Sequence, residues 1–294
     1  LQGCLIELLN VQKMDFRHQA GGYFSVHPGI HHKSIIGAGG KSQTDLPTFM
    51  FQIMTWIPHI LYEDNHYITI SKPAGLPVQA EHPEEESVIG DLQEFIGKRE
   101  KKPGKAFIGV LHRLDKLVTG VLILAKTSKG QERFNEILRN KQVKKFYLAV
   151  TEHKKIPMEG VLTHYFTRKG EEYRMSVSNQ RRSPEDQEAI LKYKIISMID
   201  DHQLLAIELI TGRRHQIRAQ LAFIGCPILG DHRYGSKHLE DSLALHCSCL
   251  KFNHPIKNIP MVLLDVPKTN NRIWQPFKNK MMEWGQEVRG KNEL

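Results

Sequence analysis

Residues 109–127 read GVLHRLDKLVTGVLILAKT, and the rest of the chain is best read outward from them. The apolar runs Phe107–Leu111 and Val121–Ala125 have the length and β-branched content of strands. Between them lie His112, Arg113, Leu114 and Asp115, and then Thr119-Gly120. A carboxylate in a loop between two buried strands is partly desolvated, so Asp115 needs a cationic partner. Ser128 next opens a helix, with Gln131 three residues on as the second half of a capping box and Phe134, Ile137 and Leu138 as its buried stripe.

Upstream, Tyr67–Ser71 reads as a strand ending in the turn Lys72-Pro73-Ala74-Gly75, and Glu84–Glu86, as an exposed helix start, leads through Ser87 into an apolar-spaced helix to Ile96. Downstream, strands are predicted at Lys145–Val150, Val161–Phe166, Leu191–Met198, Leu204–Ile210, Leu245–Phe252 and Met261–Val266. A helix from about His215 to Ile224 stops at Gly225-Cys226-Pro227. Strands outnumber helices and follow one another without regular βαβ alternation. That predicts an α+β fold with a mostly antiparallel mixed sheet, and not a Rossmann fold. Residues 1–56 differ: six glycines from Gly21 to Gly40 punctuate them, and their only acids are Glu7, Asp15 and Asp45. They read as an N-terminal extension, flexible or carrying a transit remnant, ahead of a catalytic domain at 57–294.

Across 294 residues, 41 Lys and Arg oppose 32 Asp and Glu, a net charge of +9. The surplus favours a polyanionic partner, nucleic acid before an anionic membrane. A composition 40% hydrophobic and 25% charged excludes a disordered or collagen-like chain. No apolar run approaches the ~20 residues that span a bilayer. Four cysteines do not make a disulfide framework, and reduced thiols fit best. Cys247 and Cys249, two apart on a strand, are expected on one face as small fillers. His27, His31 and His32, or His246 with Cys247, invite a metal reading, but without CxxC or HExxH spacing no metal is expected.

Polar chemistry concentrates in three segments: the Asp115 loop, Thr211–Arg218 at a strand-to-helix junction, and Lys144–Ala149, where Tyr147 shares a face with Lys145. Taken singly, each also fits a plain role: Asp115 capping a turn, the arginines a solvated face, Tyr147 an ordinary strand residue. Taken in order, with LYEDNHYITISKPAGLPV, KKFYLAV, LITGRRHQIRAQLAFIGCPILGDHRYG and the late LHCSCLKF, they resemble the RluA-type pseudouridine synthases from Ile60 to Phe277. The Lys116-Leu117-Val118 run departs from that pattern, which is usually more polar there.

The resemblance implies the pseudouridine synthase fold, with an active-site cleft across the sheet. It implies isomerisation of uridine in structured RNA, ribosomal ahead of transfer RNA, with no cofactor, metal or nucleotide. Asp115 is then the indispensable carboxylate, Arg218 its basic partner and Tyr147 the active-site tyrosine, whose ring stacks on the flipped uracil and whose hydroxyl takes the C5 proton. His112, Arg113, Lys144, Lys145, Arg213, Arg214 and His215 are the candidate RNA contacts. Arg113 either fills the space left by the flipped base or braces its loop, and the basic runs Lys98–Lys105 and Arg139–Lys145 add phosphate contacts. A cytoplasmic monomer is expected, or an organellar one if residues 1–56 hold a transit remnant. Two other classes compete: an inactive RNA-binding scaffold, and a nucleoside or glycoside hydrolase, which would want a second carboxylate that only the exposed Glu84–Glu86 run offers nearby.

Overall fold

The computed structural model turns these alternations into a single eleven-stranded sheet and describes residues 56–101, 103–168, 174–238 and 242–290. The expectations placed on residues 1–55, including the extension, Cys4 and the His27, His31 and His32 cluster, lie outside the described residues.

In chain order the elements are β1 (His59–Glu63), β2 (Tyr67–Lys72), α1 (Val88–Arg99), β3 (Gly109–Val110), β4 (Thr119–Ala125), α2 (Ser128–Arg139) and β5 (Lys144–Glu152). They continue with β6 (Glu159–Arg168), β7 (Met175–Ser178), β8 (Gln187–Ile199), β9 (His202–Leu209), α3 (Gln216–Phe223), β10 (Leu245–Asn253), β11 (Pro260–Leu264) and α4 (Lys278–Gly290). The sheet order is β1-β2-β4-β10-β5-β9-β8-β6-β7, with β3 on β4 and β11 on β10. Every pairing is antiparallel except β4 with β10. The fold is α+β, as expected.

Strand β10 is the hub. One edge pairs β5; along the other, β4 takes His246 and Cys247 and β11 takes Cys249 to Asn253. A register shift between Cys247 and Cys249 places Cys247 opposite Tyr147 and Cys249 opposite Phe146. Opposed residues share a face, and Tyr147 and Phe146 are neighbours on β5, so the two thiols lie on opposite faces. This corrects the expectation of a shared face: a bulge resets the two-residue period. At the β4–β10 contact Gly120 has φ +111°, and a Cβ there would lie 2.2 Å from the Cys247 carbonyl oxygen. Only glycine fits.

Helix α1 starts later than the expected Glu84–Glu86: Ser87 caps it, its Oγ accepting the Gly90 N–H at 3.2 Å. At α2 the cap is Thr127, not Ser128. Thr127 leaves β4 with extended φ and ψ and accepts the Gly130 N–H at 3.0 Å, while Gln131 donates to the Val110 carbonyl instead of closing a capping box. Phe134 of α2 packs edge-on to Tyr67 and Phe252, fixing the helix behind β2 and β10. The same strand network sets the row Gly120–Cys247–Tyr147–Ile207 across four strands, so Tyr147 and the end of the Asp115 loop flank Cys247 despite their separation in sequence.

Candidate active site

The loop from β3 to β4 is tied at both ends before any side chain acts. The Val118 N–H bonds the Asp115 carbonyl at 3.0 Å, and the Gly75 N–H bonds the Lys116 carbonyl at 2.9 Å. Beneath it, the buried Lys72 ammonium donates to the carbonyls of Pro73, Lys116 and Val118 at 2.6, 3.1 and 2.9 Å. Three acceptors match its three protons. Burial draws the Lys72 pKa down to about 7, against the opposing pull of Asp115. Sequence reading took Lys72 for part of a turn; nothing local distinguishes a lysine that turns inward.

Arg218 comes from α3, whose residues Gln216 to Leu221 are all buried. Its Nη1 reaches Asp115 Oδ2 at 3.2 Å, the pairing expected from the sequence. The stronger attachment is to Asp231: Nε to Oδ2 at 2.7 Å and Nη2 to Oδ1 at 2.8 Å. Desolvation of Arg218 is outweighed by these two carboxylates, and its pKa is raised. Asp231 was not singled out from the sequence, although it ends the quoted PILGD stretch. The Asp115 side chain retains 30% exposure, whereas Arg218 and Asp231 retain 5% and 1%. One carboxylate is partly open to solvent and the other is buried.

His215 adopts the left-handed conformation at the start of α3, φ +53°. Its buried ring lies between Asp115 (Nε2 to Oδ2, 3.7 Å) and Tyr234 (Nδ1 to the hydroxyl, 3.1 Å). The structure therefore puts His215 beside the carboxylate and away from the surface. The junction ahead of α3 is tied by the Gln216 side chain, whose Oε1 accepts the Arg213 N–H at 2.9 Å.

Tyr147 is buried on β5. Desolvation, followed by Cys247 and Asp115, pushes its pKa well above 10, so the hydroxyl is a neutral phenol at physiological pH. His112 accepts the Ile123 N–H on Nε2 at 3.2 Å, and burial together with Lys145 lowers its pKa to about 3. It is a neutral ring bracing β4. Arg113 and Arg214 are exposed, and Arg213 donates through Nε to the Glu188 carbonyl at 2.9 Å. Lys145 shares the Tyr147 face, whereas Lys144 lines a separate groove of about 550 Å³ with Arg133, Lys141, Asn253 and Asn258. Among the described residues no group of three or more His, Cys, Asp or Glu could hold a metal, and no helix is long and apolar enough to cross a membrane. His246, considered with Cys247 as a metal ligand, instead lies 2.7 Å from the Thr119 hydroxyl and 3.4 Å from Asp265.

Residues 66–223, more than half of the chain and enclosing the Asp115 loop, Tyr147 and Arg218, match the family described as RNA pseudouridylate synthase. The chain belongs to that family. The RNA pseudouridylate synthases it resembles include the ribosomal large subunit pseudouridine synthase D of Xylella fastidiosa, 34% identical over 71% of this chain and 66% of the relative. The human mitochondrial pseudouridylate synthase RPUSD4 is 33% identical over 60% of this chain and 51% of the relative. The chain thus spans about two thirds of the first and about half of the second. The solved structure titled Human RNA Pseudouridylate Synthase Domain Containing 4 superposes with a TM-score of 0.61 at 25% identity, covering 76% of this chain and 93% of that one. Family and fold agree with the reading of HRLD and GRRHQIR.

Proposed function

We propose that this chain isomerises uridine to pseudouridine in structured RNA, ribosomal ahead of transfer RNA, with Asp115 as the essential carboxylate. One observation carries the reading: of the two carboxylates on Arg218, Asp115 alone is partly exposed, and Tyr147 lies close enough to feel its charge. In this reaction the N-glycosidic bond breaks, the uracil turns within the site and C5 bonds to C1′. Asp115 serves it either by adding to the base or sugar or by taking a ribose proton while the bond is open. Tyr147 stacks on the uracil. Being a neutral phenol, it accepts the C5 proton only while passing its own hydroxyl proton to a base, and Asp115 is the carboxylate whose charge reaches it. The exposed Arg113, two residues before Asp115, suits the space vacated by a flipped base.

Ribosomal RNA is favoured because the bacterial relative is named for the large ribosomal subunit. The compartment is cytoplasmic or organellar, the latter favoured by the mitochondrial relative. The hydrolase reading needs a second free carboxylate, and Asp231 is held by two bonds to Arg218.

The test is Asp115→Asn, which keeps size and polarity but removes the charge. Pseudouridine formation should vanish while RNA affinity stays within a few-fold, because phosphate contacts supply most of the binding. Pseudouridine made by a contamination-free Asp115→Asn preparation would overturn the assignment, and free uracil released by the wild type would favour hydrolysis.

A further inference from the structure

We infer that His215 is a positioning residue for Asp115: it presents an Nε2–H to Oδ2 and so leaves Oδ1 as the oxygen that meets the substrate. This rests on the reading of Asp115 as the reacting carboxylate and adds to it which of its two oxygens reacts.

One chain of contacts fixes where the protons sit. The Met175 N–H donates to the Tyr234 hydroxyl oxygen at 3.1 Å. The same hydroxyl lies 3.1 Å from His215 Nδ1. A phenol has one proton to give; with the Met175 amide already supplying it a donor, that proton is directed to Nδ1. Nδ1 is then an acceptor, and a neutral imidazole carries its hydrogen on Nε2, the atom 3.7 Å from Asp115 Oδ2. The opposite tautomer would aim a lone pair at a carboxylate.

The surroundings keep the ring neutral. Burial is the largest influence; Asp115 pulls toward the charged form, while Arg218, Arg214 and Arg233 push against it, and the pKa falls to about 4. The ring cannot easily turn away, since Tyr234 meets it edge-on at 5.7 Å and packs its own face on the Arg218 guanidinium. His215 and Arg218 converge on the same oxygen, Oδ2. Among the described residues no side chain is bonded to Oδ1. A contact of 3.7 Å tightens to a hydrogen bond with a shift of under about 1 Å, as catalytic contacts commonly do when substrate arrives.

Two measurements on the 294-residue chain test this. Nitrogen-15 NMR of histidine-labelled protein should find His215 in the Nε2–H tautomer at neutral pH, and Tyr234→Phe should mix the two tautomers. Finding Nδ1–H in the wild type overturns the inference. In single-turnover assays on a stem-loop RNA, His215→Phe should lower the rate constant about 10- to 100-fold, the worth of one hydrogen bond to a charged group, with Kd nearly unchanged. His215→Gln, which keeps an N–H at similar reach, should recover most of that rate. Wild-type turnover by His215→Phe, or no recovery in His215→Gln, overturns it; should His215→Phe not fold, Tyr234→Phe and the NMR result decide. Asp115→Asn is run alongside: if it is inactive while His215→Phe is not, only this inference falls, whereas an active Asp115→Asn removes the reading beneath it.

Discussion

Asp231 holds Arg218 by two parallel hydrogen bonds of 2.7 and 2.8 Å, and the same guanidinium reaches Asp115 by one of 3.2 Å. The buried ion pair of this site is therefore Arg218–Asp231. From the sequence, Arg218→Met would be expected to strand Asp115, and Asp115→Asn to relieve it. The geometry reverses that. Arg218→Met strands Asp231, which is 1% exposed, and should cost about 3–5 kcal/mol. Adding Asp115→Asn should recover little, because Asp115 reaches water; adding Asp231→Asn should recover about half or more of the loss. Urea unfolding of the single and double variants decides it, and equal recovery by both second changes would refute this account.

Tyr147→Phe separates the ring from the hydroxyl. RNA affinity should hold, since the stacking face remains, and turnover should be lost if the hydroxyl takes the C5 proton. Tyr147→Ala should also weaken binding, by about 1–3 kcal/mol for the lost stacking. Wild-type turnover by Tyr147→Phe would leave the residue only its stacking role.

His112 and His215 make stability acid-sensitive. Their folded-state pKa values, about 3 and about 4, lie below the ordinary histidine value near 6.5, so as pH falls from 6.5 the unfolded chain takes up protons that the folded one refuses. Their stabilising contribution is full above pH 6.5 and declines as pH falls, down to about pH 4 for His215 and about pH 3 for His112. At pH 5 each should have cost about 1–2 kcal/mol. Denaturant midpoints at pH 5.0 and 7.5 give the comparison; a profile flat to within about 0.5 kcal/mol contradicts it.

Gly120→Ala should be among the most damaging single-methyl additions. Its Cβ would meet a backbone oxygen at 2.2 Å where φ is already +111°, and the β4–β10 junction that carries the Asp115 loop would have to part. A loss of about 3 kcal/mol or more, or an insoluble product, is expected. A soluble variant with a near wild-type melting temperature would mean that the junction is looser than described.

RNA affinity should fall steeply with salt. The +9 charge is concentrated in basic runs, with Arg113 and Arg214 exposed and Lys144 on the α2 groove, and each phosphate neutralised releases counterion. Between 50 and 200 mM salt the loss should be about 10-fold or more. An affinity indifferent to salt would assign binding to something other than these cations.

The sequence by itself determined most of the strands, the mostly antiparallel sheet and the family, because apolar period, turn chemistry and motif wording are properties of neighbouring residues; β1, β7 and α4 escaped that reading. It also paired Asp115 with Arg218 through the resemblance, across 103 positions. Only the tertiary structure decided the rest. A bulge in β10 put Cys247 and Cys249 on opposite faces, and the extended backbone at Thr127 gave it the α2 cap. Packing turned Lys72 inward onto three carbonyls, gave Arg218 its tighter partner Asp231, and drew His215 from the expected RNA surface to the carboxylate. Each of those outcomes depends on which donors and acceptors come within about 3 Å after distant strands pair, a distance that no local pattern encodes.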